Sequence, residues 1–218
     1  MGCRLLLLIF LAMATRRAKC SDPDPLQDFC IADTANPYGL FLNGQPCINP
    51  ARAEPSHFKT SALASPGNTR ANPFGFNVTL TSTKNLPGCH TQSLALARID
   101  IDVGGTVPPH AHPRASEVTF IVRGVLLVGF VDTSNRLYTQ QLLPGDTFMF
   151  PRALVHFLYN IGSTPALAIS GLSSQNPGAQ LSSLATFTTK PAMPDEVLKK
   201  AFQITGQDVQ RMRKNLGG

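Results

Sequence analysis

Residues 104–124 read GGTVPPHAHPRASEVTFIVRG and residues 145–160 read GDTFMFPRALVHFLYN. Both are short apolar runs punctuated by glycine and proline, the texture of short strands joined by tight turns. That texture extends outward from Ser93 to Phe187, with turn signals at Gly104-Gly105, Arg123-Gly124, Ser134-Asn135, Pro144-Gly145 and Gly162-Ser163. An antiparallel sheet protein is expected. Between Arg98 and Val103 the residues alternate, which puts Ile99, Ile101 and Val103 on a core face and Arg98, Asp100 and Asp102 on a wet one. Glu117 to Val122 and Val125 to Val131 read as a hairpin of denser apolar strands, covered on both faces as in a sandwich or barrel. Short strands at this spacing suggest a jelly roll.

The flanks read differently. Asp195 to Phe202 and Gln207 to Lys214 place Val197, Ala201 and Val209, Met212 at helical spacings. Pro194 suits a first turn, and Thr205 with Asp208 three residues later suits an N-cap. Helices this short must dock on the barrel or on a neighbouring subunit. Ser21 to about Asn72 is rich in Pro, Asp, Asn and Ser and reads as an arm laid over the core. The expected organisation is a leader over 1–20, an arm over 21–72, an all-β barrel over 73–190 and short C-terminal α-helices over 191–218.

Arg4 followed by the apolar run Leu5 to Ala14 has the positive start and short apolar core of a secretory signal peptide, with Ala18 and Cys20 as the small residues before a cleavage at Ser21. The run is too short to span a bilayer. The formal charge of +6 owes much to this segment: without Arg4, Arg16, Arg17 and Lys19, 15 bases face 13 acids, a net +2. No basic stripe for nucleic acid remains, and neither nucleic acid nor membrane is expected as a partner. The basic residues Lys199, Lys200, Arg211, Arg213 and Lys214 read as a solvated face, or as a loose contact for acidic wall polysaccharide.

Secretion implies an oxidising compartment in which Cys30, Cys47 and Cys89 remain. Cys30 and Cys47 enclose a short loop with turn signals at Asn36-Pro37 and Asn43-Gly44, so they can meet. Cys89 reads as a small buried hydrophobe in a Pro87-Gly88 turn, with an intermolecular bridge as the alternative. Asn77-Val78-Thr79 is the only glycosylation sequon.

Five histidines are present, and His110 and His112 stand two apart behind Pro108-Pro109, with Glu117 five residues further on. In extended chain, residues i and i+2 project from one face, so both imidazoles reach one cation and Glu117 enters from the next strand. His156 follows a turn, a strand from Thr147 to Phe150 and Pro151, and in a closed barrel it can return beside them. Three imidazoles and one carboxylate suit manganese, iron, zinc or nickel with positions left open. A His-x-His pair in a proline-rich loop also has a bland reading as two solvated loop residues. His57 and His90 are read as solvated loop positions.

Gly104, five residues, His110-Ala111-His112, four residues, Glu117, six residues and Gly124 form one box; Gly145, five residues, Pro151, His156 and Asn160 form a second. Together with Ser21-Asp22-Pro23-Asp24-Pro25-Leu26-Gln27-Asp28-Phe29-Cys30 and Ser173-Ser174-Gln175-Asn176-Pro177-Gly178, the chain resembles the germin-like proteins of the cupin superfamily, secreted plant glycoproteins. The resemblance runs from Ser21 nearly to the end. It implies a cupin jelly-roll barrel binding one manganese per chain through His110, His112, Glu117 and His156. It also implies a Cys30–Cys47 disulfide and a homohexamer, a trimer of dimers, in the extracellular matrix.

Oxalate-oxidising members of that family carry two substrate-holding asparagines, at positions where this chain has Ala97 and Val107. Each lost amide partner weakens a buried dicarboxylate by ~1–3 kcal/mol, so oxalate oxidation is disfavoured. Ala153 stands where the second box has a glycine, which matters only if that backbone needs a positive φ. The leading expectation is a manganese superoxide dismutase, acting on a small anion that needs an open site and little else. A non-catalytic cell-wall binding protein with a stabilising metal is the alternative, and another oxidase or a phosphodiesterase on the same scaffold is a third reading.

Overall fold

The computed structural model describes residues 30–34 and 45–217; the leader over 1–20, residues 21–29 and the turn signals within 35–44 lie outside the described residues. Ten strands are described: β1 Phe76–Leu80, β2 Ala95–Ile101, β3 Thr106–Ala111, β4 Glu117–Arg123, β5 Leu126–Val131, β6 Leu137–Leu142, β7 Thr147–Phe150, β8 Val155–Asn160, β9 Ala166–Leu172 and β10 Gln180–Leu181. They form two five-stranded sheets, ordered β1-β2-β9-β4-β7 and β10-β3-β8-β5-β6, with antiparallel pairing throughout. This is the expected jelly roll. Ile99, Ile101, Val107, Ile121, Leu126, Val128, Phe150 and Leu158 fill the space between the sheets.

The expected hairpin over 117–131 does not form. β4 pairs with β7 and β9, whereas β5 pairs with β6 and β8, so the chain crosses from one sheet to the other at Gly124. Gly124 has φ +91°, and a Cβ there would lie 2.5 Å from the Ala166 Cβ; only glycine permits the crossing. Nor is β4 covered on both faces. Ile121 is buried, but Val118, Phe120 and Val122 are 39%, 45% and 44% exposed, so the dense apolar run reflects a core face and an apolar outer face.

The wet face expected for β2 is also corrected. Asp100 is buried, because Arg98 forks onto it with two 2.9 Å hydrogen bonds and Gly67 N–H donates to it from the arm. Val103 falls beyond the end of β2, in the turn to β3, and is exposed.

Cys30 and Cys47 form a disulfide, and the Ala32–Cys47 bridge beside it is tied to the 3-10 turn Pro87–Cys89 by Ala32 N–H donating to the Pro87 carbonyl. His90 is not solvated: this arm covers it, and its Nε2 meets the Gln45 carbonyl. Cys89 is a free, buried cysteine whose thiol burial pushes upward, which favours the core reading over a bridge between subunits.

Three helices close the chain: α1 Ser182–Phe187, α2 Asp195–Phe202 and α3 Gly206–Leu216. The first was not expected, since six residues carry too little periodicity to read. The Thr205–Asp208 capping box is present. The buried faces centre on Phe187, Leu198 and Val209, which pack together, while Val197 and Ala201 face outward. The basic face is largely compensated within the helices, through Lys199–Glu196, Arg211–Asp208 and Arg213–Asp195 pairs. Among the described residues no helix is long and apolar enough to cross a membrane.

Candidate metal centre

His110 lies in β3, His112 just past its end, Glu117 opens β4 and His156 lies in β8. Both sheets therefore contribute. His110 and His156 are direct cross-strand partners, beyond an irregularity in the register that begins at Val107. Pro108 and Pro109 occupy that irregularity, where a residue without an N–H costs no ladder bond. The His110 and His156 rings lie 4.1 Å apart, the His110 and His112 rings 5.1 Å apart, and Phe150 stacks on His156 at 4.5 Å. One ligand atom from each of the four residues lies within 4.8 Å of all the others.

Each imidazole is held from behind. His110 Nδ1 contacts the Pro108 carbonyl at 2.9 Å, His156 Nδ1 the Leu154 carbonyl at 2.9 Å, and His112 Nδ1 the Gly178 carbonyl. Only an N–H can donate to a carbonyl, so all three rings carry the proton on Nδ1 and turn the Nε2 lone pair inward. Glu117 is divided in the same way. Its Oε1 accepts a 2.9 Å hydrogen bond from Thr119 Oγ1, which lies 2.7 Å from Ser170 Oγ, all fully buried.

Glu117 Oε2 lies 3.0 Å from His112 Nε2 and 3.3 Å from His156 Nε2, yet among the described residues neither Oε2 nor His156 Nε2 makes a hydrogen bond. A carboxylate oxygen facing imidazole lone pairs in a buried site is repulsive unless a cation lies between them. Three neutral nitrogens and one anionic oxygen converging on a point fit a divalent transition metal. Burial beside His156 pushes the His110 imidazole down to about 4. Burial acts on His112 in the same direction, but its contacts with Glu117 and the Gly178 carbonyl outweigh it and raise that imidazole. Burial would raise Glu117, yet the approach of His112 and His156 holds its carboxyl well below the ordinary range.

A cavity of about 310 Å³ is lined by His110, His112 and Glu117 together with Ala97 and Val107. The two positions that the sequence singled out against a dicarboxylate thus stand in the wall beside the site. Ala153, in the turn before β8, has φ +63° and its N–H donates to the His112 carbonyl at 3.1 Å. Asn160 takes no part in the centre; its buried amide bonds the carbonyls of Ile101, Asp102 and Thr164. Asn77 lies half-buried in edge strand β1 beside Gly67. Thr119 and Ser170, which support Glu117, are defining residues of neither sequence box. Their signal was legible as polar residues at inward positions of apolar strands, Thr119 two residues from Glu117 on the same face.

The cupin family matches residues 61–210 of the chain. Germin-like protein subfamily 1 member 1 of Arabidopsis thaliana is 56% identical over 214 residues, covering 97% of this chain and 98% of that relative. Germin-like protein 3-1 of Oryza sativa subsp. japonica is 56% identical over 217 residues, covering 97% and 96%. A solved structure of oxalate oxidase superposes with a TM-score of 0.86 at 39% identity, covering 91% of this chain and all of that one.

Proposed function

Because the chain belongs to the germin-like proteins of the cupin family, we propose that it is a secreted manganese protein that dismutes superoxide and does not oxidise oxalate. The observation that carries this reading is the unpartnered Glu117 Oε2 facing the histidine nitrogens beside a cavity with no amide at Ala97 or Val107. Manganese bound there would supply one-electron chemistry between Mn(II) and Mn(III), so that two superoxide ions and two protons become dioxygen and hydrogen peroxide. The protein's part is mainly to orient. Carbonyls behind the three Nδ1 atoms fix the tautomers, and Thr119 fixes Glu117, so no side chain must reorganise during turnover. One carboxylate against a divalent ion leaves the centre net cationic, which favours an incoming anion. A dicarboxylate would find no donor at Ala97 or Val107, and oxalate binding is weakened accordingly.

Secretion is supported by the leader sequence and the Cys30–Cys47 disulfide, and a glycan is proposed on Asn77 of the edge strand. For assembly as a homohexamer, the outer face of the first sheet offers a subunit contact. Leu96, Gly171, Val118 and Met149 are successive cross-strand partners there, and the three side chains are 48%, 39% and 55% exposed. Binding to wall polysaccharide draws little support from a C-terminal face whose bases are mostly paired.

Elemental mass spectrometry of the secreted protein, followed by superoxide assays on the wild type and His156→Ala at matched folding, tests the proposal. About one manganese per chain and activity lost in the variant are expected. Dismutation independent of His156 would overturn the enzyme reading, a folded, metal-loaded but inactive protein would favour the wall-binding alternative with its stabilising metal, and a folded protein without metal would overturn the metal reading itself.

A further inference from the structure

The cavity beside the four ligands is far larger than superoxide requires. Its volume of about 310 Å³ compares with about 150 Å³ for an apolar cavity that admits benzene. Its chemistry is one-sided. Apart from His110, His112, Glu117 and the exposed Asn176, every lining side chain among the described residues is apolar, including Val78, Leu80, Ile99, Leu158, Leu172 and Leu181. Among the described residues no lysine or arginine lines it, so an organic anion finds there no countercharge other than the centre itself, and a second carboxylate finds none.

We propose that this cavity binds a small uncharged aromatic molecule with a single oxygen donor, a simple phenol, its ring against the apolar wall and its oxygen turned to His110, His112 and Glu117. The oxygen's role rests on the metal reading above; the ring's role does not. The apolar wall would contribute affinity by removing ring surface from water. Polar contacts at one end alone would set the orientation.

Titration calorimetry of the metal-loaded protein with 4-methylphenol, toluene and oxalate tests this, with the metal-free protein run in parallel. The phenol is expected to bind one per chain with a Kd below about 1 mM and about tenfold more tightly than oxalate. Val107→Asn should weaken phenol about tenfold, and Ala97→Leu, which fills the cavity with an apolar side chain, should abolish binding of both aromatics. If the metal reading alone is wrong, toluene still binds both forms and the phenol binds the metal-loaded and metal-free proteins equally. Oxalate binding the wild type more tightly than the phenol, toluene failing to bind either form, or aromatic binding indifferent to Ala97→Leu would each overturn the proposal.

Discussion

Thr119 Oγ1 donates a 2.9 Å hydrogen bond to Glu117 Oε1 and leaves Oε2 as the one oxygen of that carboxylate turned to His112 and His156. The donor is itself held, since Ser170 Oγ lies 2.7 Å away and both hydroxyls are fully buried. Thr119→Val keeps the shape and deletes the donor. Metal affinity is expected to fall by ~10–100-fold, with a changed Mn(II) paramagnetic resonance spectrum, and Thr119→Ser should restore both. Unchanged affinity and spectrum in Thr119→Val would show that Glu117 needs no such anchor.

Metal should stabilise the fold. A ligand that binds only the native state contributes about 4 kcal/mol at a thousandfold excess over its Kd. Chelation is expected to lower the melting temperature of the wild type markedly. In Glu117→Gln, which cannot supply the anionic oxygen, melting should become insensitive to chelator and to added metal. Equal melting of loaded and chelated wild type by calorimetry would contradict this.

Metal uptake should weaken in mild acid, and His112 should set where. His110, lowered to about 4, and Glu117, held lower still, are already deprotonated near neutral pH. His112 is raised, so it keeps its proton to a higher pH than a free imidazole and must lose it to bind metal. Affinity is therefore expected to rise with pH through that raised value and to level off above it. Proton release, measured calorimetrically in buffers of different ionisation enthalpy, should be evident on the acid side of that value and vanish on the alkaline side. Affinity flat from neutrality down toward the His110 value would refute the assignment.

Ala153 occupies a left-handed conformation, φ +63°, which costs a non-glycine residue ~1–2 kcal/mol. Ala153→Gly should relieve most of it, less the extra entropy glycine loses on folding, for a gain of up to about 1 kcal/mol. The urea midpoint is expected to rise with metal content unchanged. A lowered midpoint would mean that the methyl group's packing outweighs the backbone cost.

The exposed row Leu96, Val118 and Met149 on the first sheet predicts the assembly surface. Val118→Lys, placing a charge at the centre of that row, should leave the fold and metal content intact and reduce the particle mass measured by light scattering. An unchanged mass would move the interface elsewhere.

Much of the metal centre was legible because strand periodicity is local. Two residues apart on extended chain means one face, so His110 and His112 could be paired from spacing alone, and the turn and strand ahead of His156 allowed its return. The cross-strand partnership of His110 with His156 was not legible, because register across a closed barrel depends on every intervening turn and on the irregularity at Pro108-Pro109. The misread hairpin has the same origin. An Arg123-Gly124 turn between apolar runs looks the same whether the chain folds back within one sheet or crosses to the other, and it is the approach of Ala166 that selects crossing.

By itself, then, the sequence determined the class of fold and the neighbourhood of His110, His112 and Glu117, since these follow from residue type and short-range spacing; His156 joined them only through the return a closed barrel allows and the family resemblance. Tertiary structure alone decided the rest. The carbonyls of Pro108, Leu154 and Gly178 that fix the tautomers include one contributed by a segment distant in sequence. The Thr119–Ser170 support and the burial of Asp100 and His90 likewise depend on contacts between distant segments. No local pattern encodes such contacts, because the free energy of a buried polar group is set by whichever distant segment closes over it.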